Sequence, residues 1–100
     1  MKIVINKCFG GFGLSEAVYK ELGIKWDGYD YLSNDALGIK DDNYYAFRSD
    51  KRLVDAVEKV GEEKASGELA KLRVVEIPDD VEWEIDEYDG IESIHEKHRS

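Results

Sequence analysis

The run Cys8-Phe9-Gly10-Gly11-Phe12-Gly13-Leu14-Ser15 holds residue types suited to binding an anion. A glycine turn between a strand and a helix leaves backbone N–H groups pointing outward, and the helix dipole favours negative charge there. Gly10, Gly11, Gly13 and Ser15 would hold a phosphate. Lys7 or Arg48 would neutralise it, and Tyr44 and Tyr45 would stack a base. The spacing meets none of the standard fingerprints. Leu14 follows the last glycine where a phosphate-binding loop has Lys, and position 16 is Glu where the dinucleotide motif has its third glycine. A cysteine phosphatase loop would carry an arginine where Leu14 stands. The preferred reading is plainer: these glycines let a helix pack close to a strand.

Cys8, at the end of a strand, has the place of a nucleophile. No base can be put beside it, because both histidines, His95 and His98, lie at the far end of the chain. A buried cysteine is therefore preferred. Glu92, His95 and Glu96 would share a face if their segment were helical, and a Glu-x-x-His pair binds metals. That segment follows a hairpin signal, so no metal site is assigned.

The acidic end of the chain is more distinctive. From Glu76 to Glu96 there are ten carboxylates and no Lys or Arg. Within Val81–Glu87 the pattern alternates: Val81, Trp83 and Ile85 on one face of a strand, Glu82, Glu84 and Asp86 on the other. At about 3.3 Å per residue, neighbours in that row stand about 6.6 Å apart. This is close to the phosphate repeat along one nucleic-acid strand, roughly 6–7 Å once the helical path is added to the axial rise. With Asp79, Asp80 and Asp89 nearby, the row is a candidate surface for a basic groove on another protein. The plainer alternative is a solvated face whose charges block edge-to-edge aggregation.

Six of the eleven aromatic residues fall within 22 positions: Trp26, Tyr29, Tyr31, Tyr44, Tyr45 and Phe47. Such residues serve core packing first, a protein interface second and a base-stacking pocket third.

The elements that position these residues can be read from pattern. Residues 2–9 form a buried strand: β-branched, apolar and closed by glycines. Ser15 caps a helix carrying Leu14, Val18 and Leu22, and Gly23 ends it. Residues 44–48 have strand-like composition. Ser49 or Asp50 caps a second helix, whose stripe is Leu53, Val54, Ala56, Val57 and Val60, with Gly61 at its end. Residues 62–70 form a helical turn or a loop. The last thirty residues predict an antiparallel meander: Leu72–Ile77, a turn at Pro78, Val81–Tyr88, a hairpin at Asp89-Gly90, and Ile91–Glu96. The sum is an α+β single domain over residues 1–100. It has a four- to five-stranded, mostly antiparallel sheet with two helices on one face.

At 100 residues and a formal net charge of −9 the chain has room for one core. Its charge repels nucleic acid and anionic membrane. Residues 1–50 carry 6 basic and 8 acidic side chains, and residues 51–100 carry 8 and 15, so the excess sits in the second half. Ile3-Val4-Ile5 is too short for a signal-peptide core or a membrane span, which need about 7–15 and 20 apolar residues. A single cysteine fits a reducing compartment. The expected location is the cytoplasm, with no cofactor.

The blocks MKIVINKCFGGFGLSEAVYKELG and VVEIPDDVEWEIDEYDGIESIHEKHR, with the pattern at Tyr45, Arg48 and Asp50, resemble a group of small proteins of tailed bacteriophages and prophages. The match spans most of the chain. Other members continue a residue or two beyond Ser100, so the C-terminus is expected to be trimmed here. The resemblance brings no established activity and no catalytic residues. It implies a phage-related setting in a host cytoplasm, where small acidic proteins without enzyme signatures bind and disable a host defence component, as anti-CRISPR proteins do. The leading expectation is a non-enzymatic interaction protein that binds a basic host protein, a defence nuclease for example, through Asp79, Asp80, Glu82, Glu84, Asp86 and Asp89. The alternative is a nucleotide-binding signal sponge using the Gly10–Gly13 loop. A homo-oligomer stays open.

Overall fold

The computed structural model describes residues 1–25, 32–41, 43 and 45–97, the last by its backbone. Strand β1, Lys2–Asn6, pairs antiparallel with β2, Leu72–Glu76, in the register Ile3↔Val75 and Ile5↔Arg73. Four of the five residues of β1 are buried. The reason is that both faces of this ladder are covered. Val4, Leu72 and Val74 face a helical layer with Leu14, Val18, Leu53 and Val57. Ile3, Ile5, Val75 and Ile77 face a hairpin that contributes Ile85, Trp83 and Ile94. A strand buried on both faces reads as a continuous apolar run rather than an alternation.

The helical layer follows its caps. Helix α1, Glu16–Leu22, starts after Ser15, which holds the N-cap position without the expected side-chain cap bond because its hydroxyl donates to Lys64 O. It ends at Gly23, whose φ of 72° is the left-handed conformation that glycine adopts freely. Helix α2, Lys51–Val60, starts at Asp50, whose carboxylate accepts from the Arg52 N–H at 2.9 Å. Helix α3, Glu62–Ala65, is one turn long. Among the described residues no helix is long and apolar enough to cross a membrane.

The hairpin is β3, Glu82–Tyr88, and β4, Ile91–Lys97. Asp89 (φ 49°) and Gly90 (φ 93°) both take positive φ, as a two-residue hairpin turn of the mirror type requires. Tyr88 faces Ile91 and closes the ladder. Ladder bonds alternate along antiparallel strands, so Trp83, Ile85 and Glu87 turn their backbone groups to the outer edge of β3.

The α+β class stands, with helices over one face of the β1–β2 ladder. Three sequence expectations are corrected. The strands form two separate two-stranded ladders instead of one sheet. The last thirty residues are not a meander, because β2 pairs with β1 and only β3 and β4 form a hairpin. Residues 45–48 are not a strand, for Ala46–Ser49 is a 3-10 turn. Asn side chains win over β-propensity there: Asn43 Oδ1 accepts from the Tyr45 N–H at 3.0 Å, and Asn34 Oδ1 from the Phe47 N–H at 2.8 Å.

Candidate functional site

The acidic row lies where alternation puts it. Ile85 is buried against the β1–β2 ladder, so Glu82, Glu84 and Asp86 point away from the core and are exposed. Asp79, Asp80 and Asp89 are exposed as well, the first pairing with the amino group of Met1. Tyr88 continues the row's parity and is 75% exposed. His95 of β4 belongs to the same face, its Nε2 lying 2.5 Å from the Asp86 carboxylate. The arrangement is an acidic strand face ending in an exposed aromatic ring, complementary in charge to a basic surface.

The glycine loop is packed rather than open. A Cβ on Gly10 would stand 1.7 Å from the Leu69 carbonyl oxygen, and one on Gly90 would stand 2.6 Å from Gly11 N and Phe9 O. Gly13 O accepts from the Gly67 N–H at 2.9 Å, and the Ser15 N–H donates to Ala65 O at 2.8 Å. Ser15 Oγ donates to Lys64 O at 2.6 Å. Both Ser15 donors expected to greet a phosphate are thus engaged with residues 64 and 65, and Gly13 is tied to Gly67 through its carbonyl. Lys7 is exposed and flanks the loop. Cys8 is half-buried, and its Sγ donates to Leu69 O at 3.1 Å. Phe9 and Leu69, 69% and 70% exposed, form an apolar rim where these loops meet.

Arg48 is the residue whose place differs most from expectation. It is buried beside Glu92, Nη1 donating to Oε1 at 2.6 Å and Nη2 to Oε2 at 2.9 Å. Its Cζ lies 3.4 Å from the centre of the Phe12 ring. The pair also finishes the free edge of β1: Arg48 Nη1 donates to Val4 O at 3.2 Å, and Glu92 Oε1 accepts from the Asn6 N–H at 2.8 Å. Asn6 closes the network, with Nδ2 donating to Cys8 O and Gly90 O and Oδ1 accepting from the Lys71 N–H. Asn6, Arg48 and Glu92 are the buried polar residues of the described chain, and all three belong to this one network. With its charge held by Glu92, Arg48 has little left for a phosphate. Its Nε is buried without a partner.

Gly11, Phe12, Tyr45, Arg48 and Glu87 line a cleft of about 170 Å³ at this junction. That is below the roughly 300–1,000 Å³ of typical ligand pockets. Three of the eight residues assigned to a nucleotide meet here: Gly11, Tyr45 and Arg48. Gly13 and Ser15 are turned to the segment at 64–67. Tyr44, Trp26, Tyr29, Tyr31 and His98 lie outside the described residues. Because β4 is a strand and no helix, Glu92 faces the core and His95 the opposite face, so the metal-ligand spacing is not realised.

Sequence reasoning places Glu92 only in a metal-ligand spacing, and it missed the buried role of both Glu92 and Asn6. Parity offered a signal for both: Glu92 shares the inward face with Ile94, and Asn6 shares the helix-side face with Val4. Comparison with protein-family models, with curated proteins and with solved structures finds no match.

Proposed function

We propose that the chain is a non-enzymatic phage or prophage accessory protein that binds a host protein with a basic surface, and so inhibits it. The observation that supports this reading is the outer face of β3, where Glu82, Glu84 and Asp86 are exposed at two-residue spacing beside Tyr88. A row of carboxylates about 6.6 Å apart presents charge at a spacing a nucleic-acid-binding groove accepts. Long-range attraction would steer association, and Tyr88 would supply a desolvated anchor at the row's end. The host component would be a nuclease or another protein with such a groove.

The test uses the immobilised chain and host lysate, with wild type beside Glu82→Lys/Glu84→Lys/Asp86→Lys. Exposed positions of this kind change folding stability by about 0.5 kcal/mol each, so the three together cost on the order of 1.5 kcal/mol, and circular dichroism of the variant checks that it is folded. A captured protein should release as salt rises and be absent with the variant. Capture that ignores the triple reversal refutes the reading.

A second reading, a nucleotide-binding signal sponge, has the meeting of Gly11, Tyr45 and Arg48 at one cleft in its favour. A thermal-shift panel of nucleotides tests it, since ligand at 100 times its Kd adds about 2.7 kcal/mol. No shift with any nucleotide removes it.

A further inference from the structure

We infer that the outer edge of β3 is a strand-addition site, and that its occupant is an extended basic segment of the bound protein. This rests on the acidic-face reading above and states how that face would be engaged.

The inference comes from how the other edges are finished. On β2, the outward N–H of Leu72 donates to Ser66 Oγ at 2.9 Å, and that of Val74 to Glu62 Oε2 at 2.7 Å. On β1, Val4 O and the Asn6 N–H are taken by Arg48 and Glu92. Side chains thus replace the missing neighbour strand on both sides of the β1–β2 ladder. The remaining strand, β4, runs beside β1. For β3 the situation is different. Trp83, Ile85 and Glu87 aim their N–H and C=O groups outward, and among the described residues β3 is laddered to β4 alone, its Trp83 and Ile85 side chains packing face-on against the β1–β2 ladder. An unfinished edge with alternating side chains is what a peptide strand adds to, with backbone bonds giving affinity and alternate side chains giving specificity.

The side chains select the occupant. Glu82, Glu84 and Asp86 stand along one face of this edge, and Glu87 at its other face is also exposed. A second copy added antiparallel about Ile85 would set Glu84 across from Asp86 twice, with Cβ atoms about 5 Å apart, where like charges are destabilising. A strand with Lys or Arg at alternate positions meets the row with opposite charge. The same residues thus reject self-pairing and admit a basic strand.

The probe is a ten-residue peptide alternating Lys and Val, titrated into the isotopically labelled full chain. A second peptide of the same sequence carries N-methyl groups on the backbone edge that would face β3. The unmethylated peptide should slow amide exchange at Trp83, Ile85 and Glu87 and leave the β2 amides unchanged. The methylated one should bind at least tenfold more weakly. Equal affinity of the two peptides overturns the strand-addition inference while leaving a purely electrostatic acidic face intact. No binding of either peptide at low salt also overturns it, and the lysate experiment then decides the broader reading separately. A chain that dimerises with protected β3 amides overturns it in favour of a second copy.

Discussion

Glu92→Ala is the change from which the structure predicts most. The Glu92 carboxylate accepts three hydrogen bonds, two from Arg48 and one from the Asn6 amide. Its removal leaves the buried guanidinium without its counter-charge, which costs about 3–5 kcal/mol in comparable pairs. It also orphans the Asn6 N–H, a group worth about 1–3 kcal/mol when buried unpaired. These costs overlap, and together they come to about 4–6 kcal/mol, against the 5–15 kcal/mol total typical of a domain. With a urea slope of about 2 kcal/mol/M, the unfolding midpoint should fall by about 2–3 M. The doubly apolar variant Arg48→Met/Glu92→Leu relieves the stranded charge but still leaves Val4 O and the Asn6 N–H unpaired at the β1 edge. It should therefore recover only part of the loss, remaining about 2–4 kcal/mol below wild type. Urea unfolding followed by circular dichroism measures both. If Glu92→Ala stays within 1 kcal/mol of wild type with an unchanged slope, the network does not hold the two ladders together and the reasoning fails.

Gly10→Ala should destabilise by about 3 kcal/mol or more, because its methyl would fall on the Leu69 carbonyl. Gly11→Ala has open space around it and should lose only the strain of a positive φ, about 1–2 kcal/mol; thermal melts that rank them otherwise contradict the packing of this loop. Hydrogen bonds from the Arg52 side chain, ahead of that from its backbone N–H, hold the Asp50 carboxyl below the usual carboxylate range. A lowered pKa contributes stability above the unfolded value of about 3.9, lost as pH falls through the folded one. Asp50→Ala should cost about 1 kcal/mol at neutral pH and flatten the stability curve below about pH 4; an acid slope equal to wild type refutes this.

The elements were legible where local chemistry decides them. Ser15 with Gly23, Asp50 with Gly61, and Asp89-Gly90 each mark a boundary that the chain keeps. The acidic row was legible because alternation fixes a face once Ile85 is buried. What escaped was non-local. Nothing near residues 72–76 says that their neighbour is β1 rather than β3, since both choices bury the same apolar residues. Tyr45–Arg48 looked like a strand because its turn is set by Asn34, thirteen residues before Phe47. Arg48 looked like an anion receptor because its own anion, Glu92, is 44 residues away.

That distance has a consequence for synthesis. Asn6 leaves the ribosome well before Leu72, its partner across the ladder, and earlier still than Glu92. At about 5–20 residues per second, the intervening 66 residues take roughly 3–13 s. Throughout that interval Ile3, Val4 and Ile5 are an apolar segment whose ladder partner does not yet exist. The centre of the finished molecule is therefore the part of the nascent chain that waits longest, and the part most in need of a chaperone's protection.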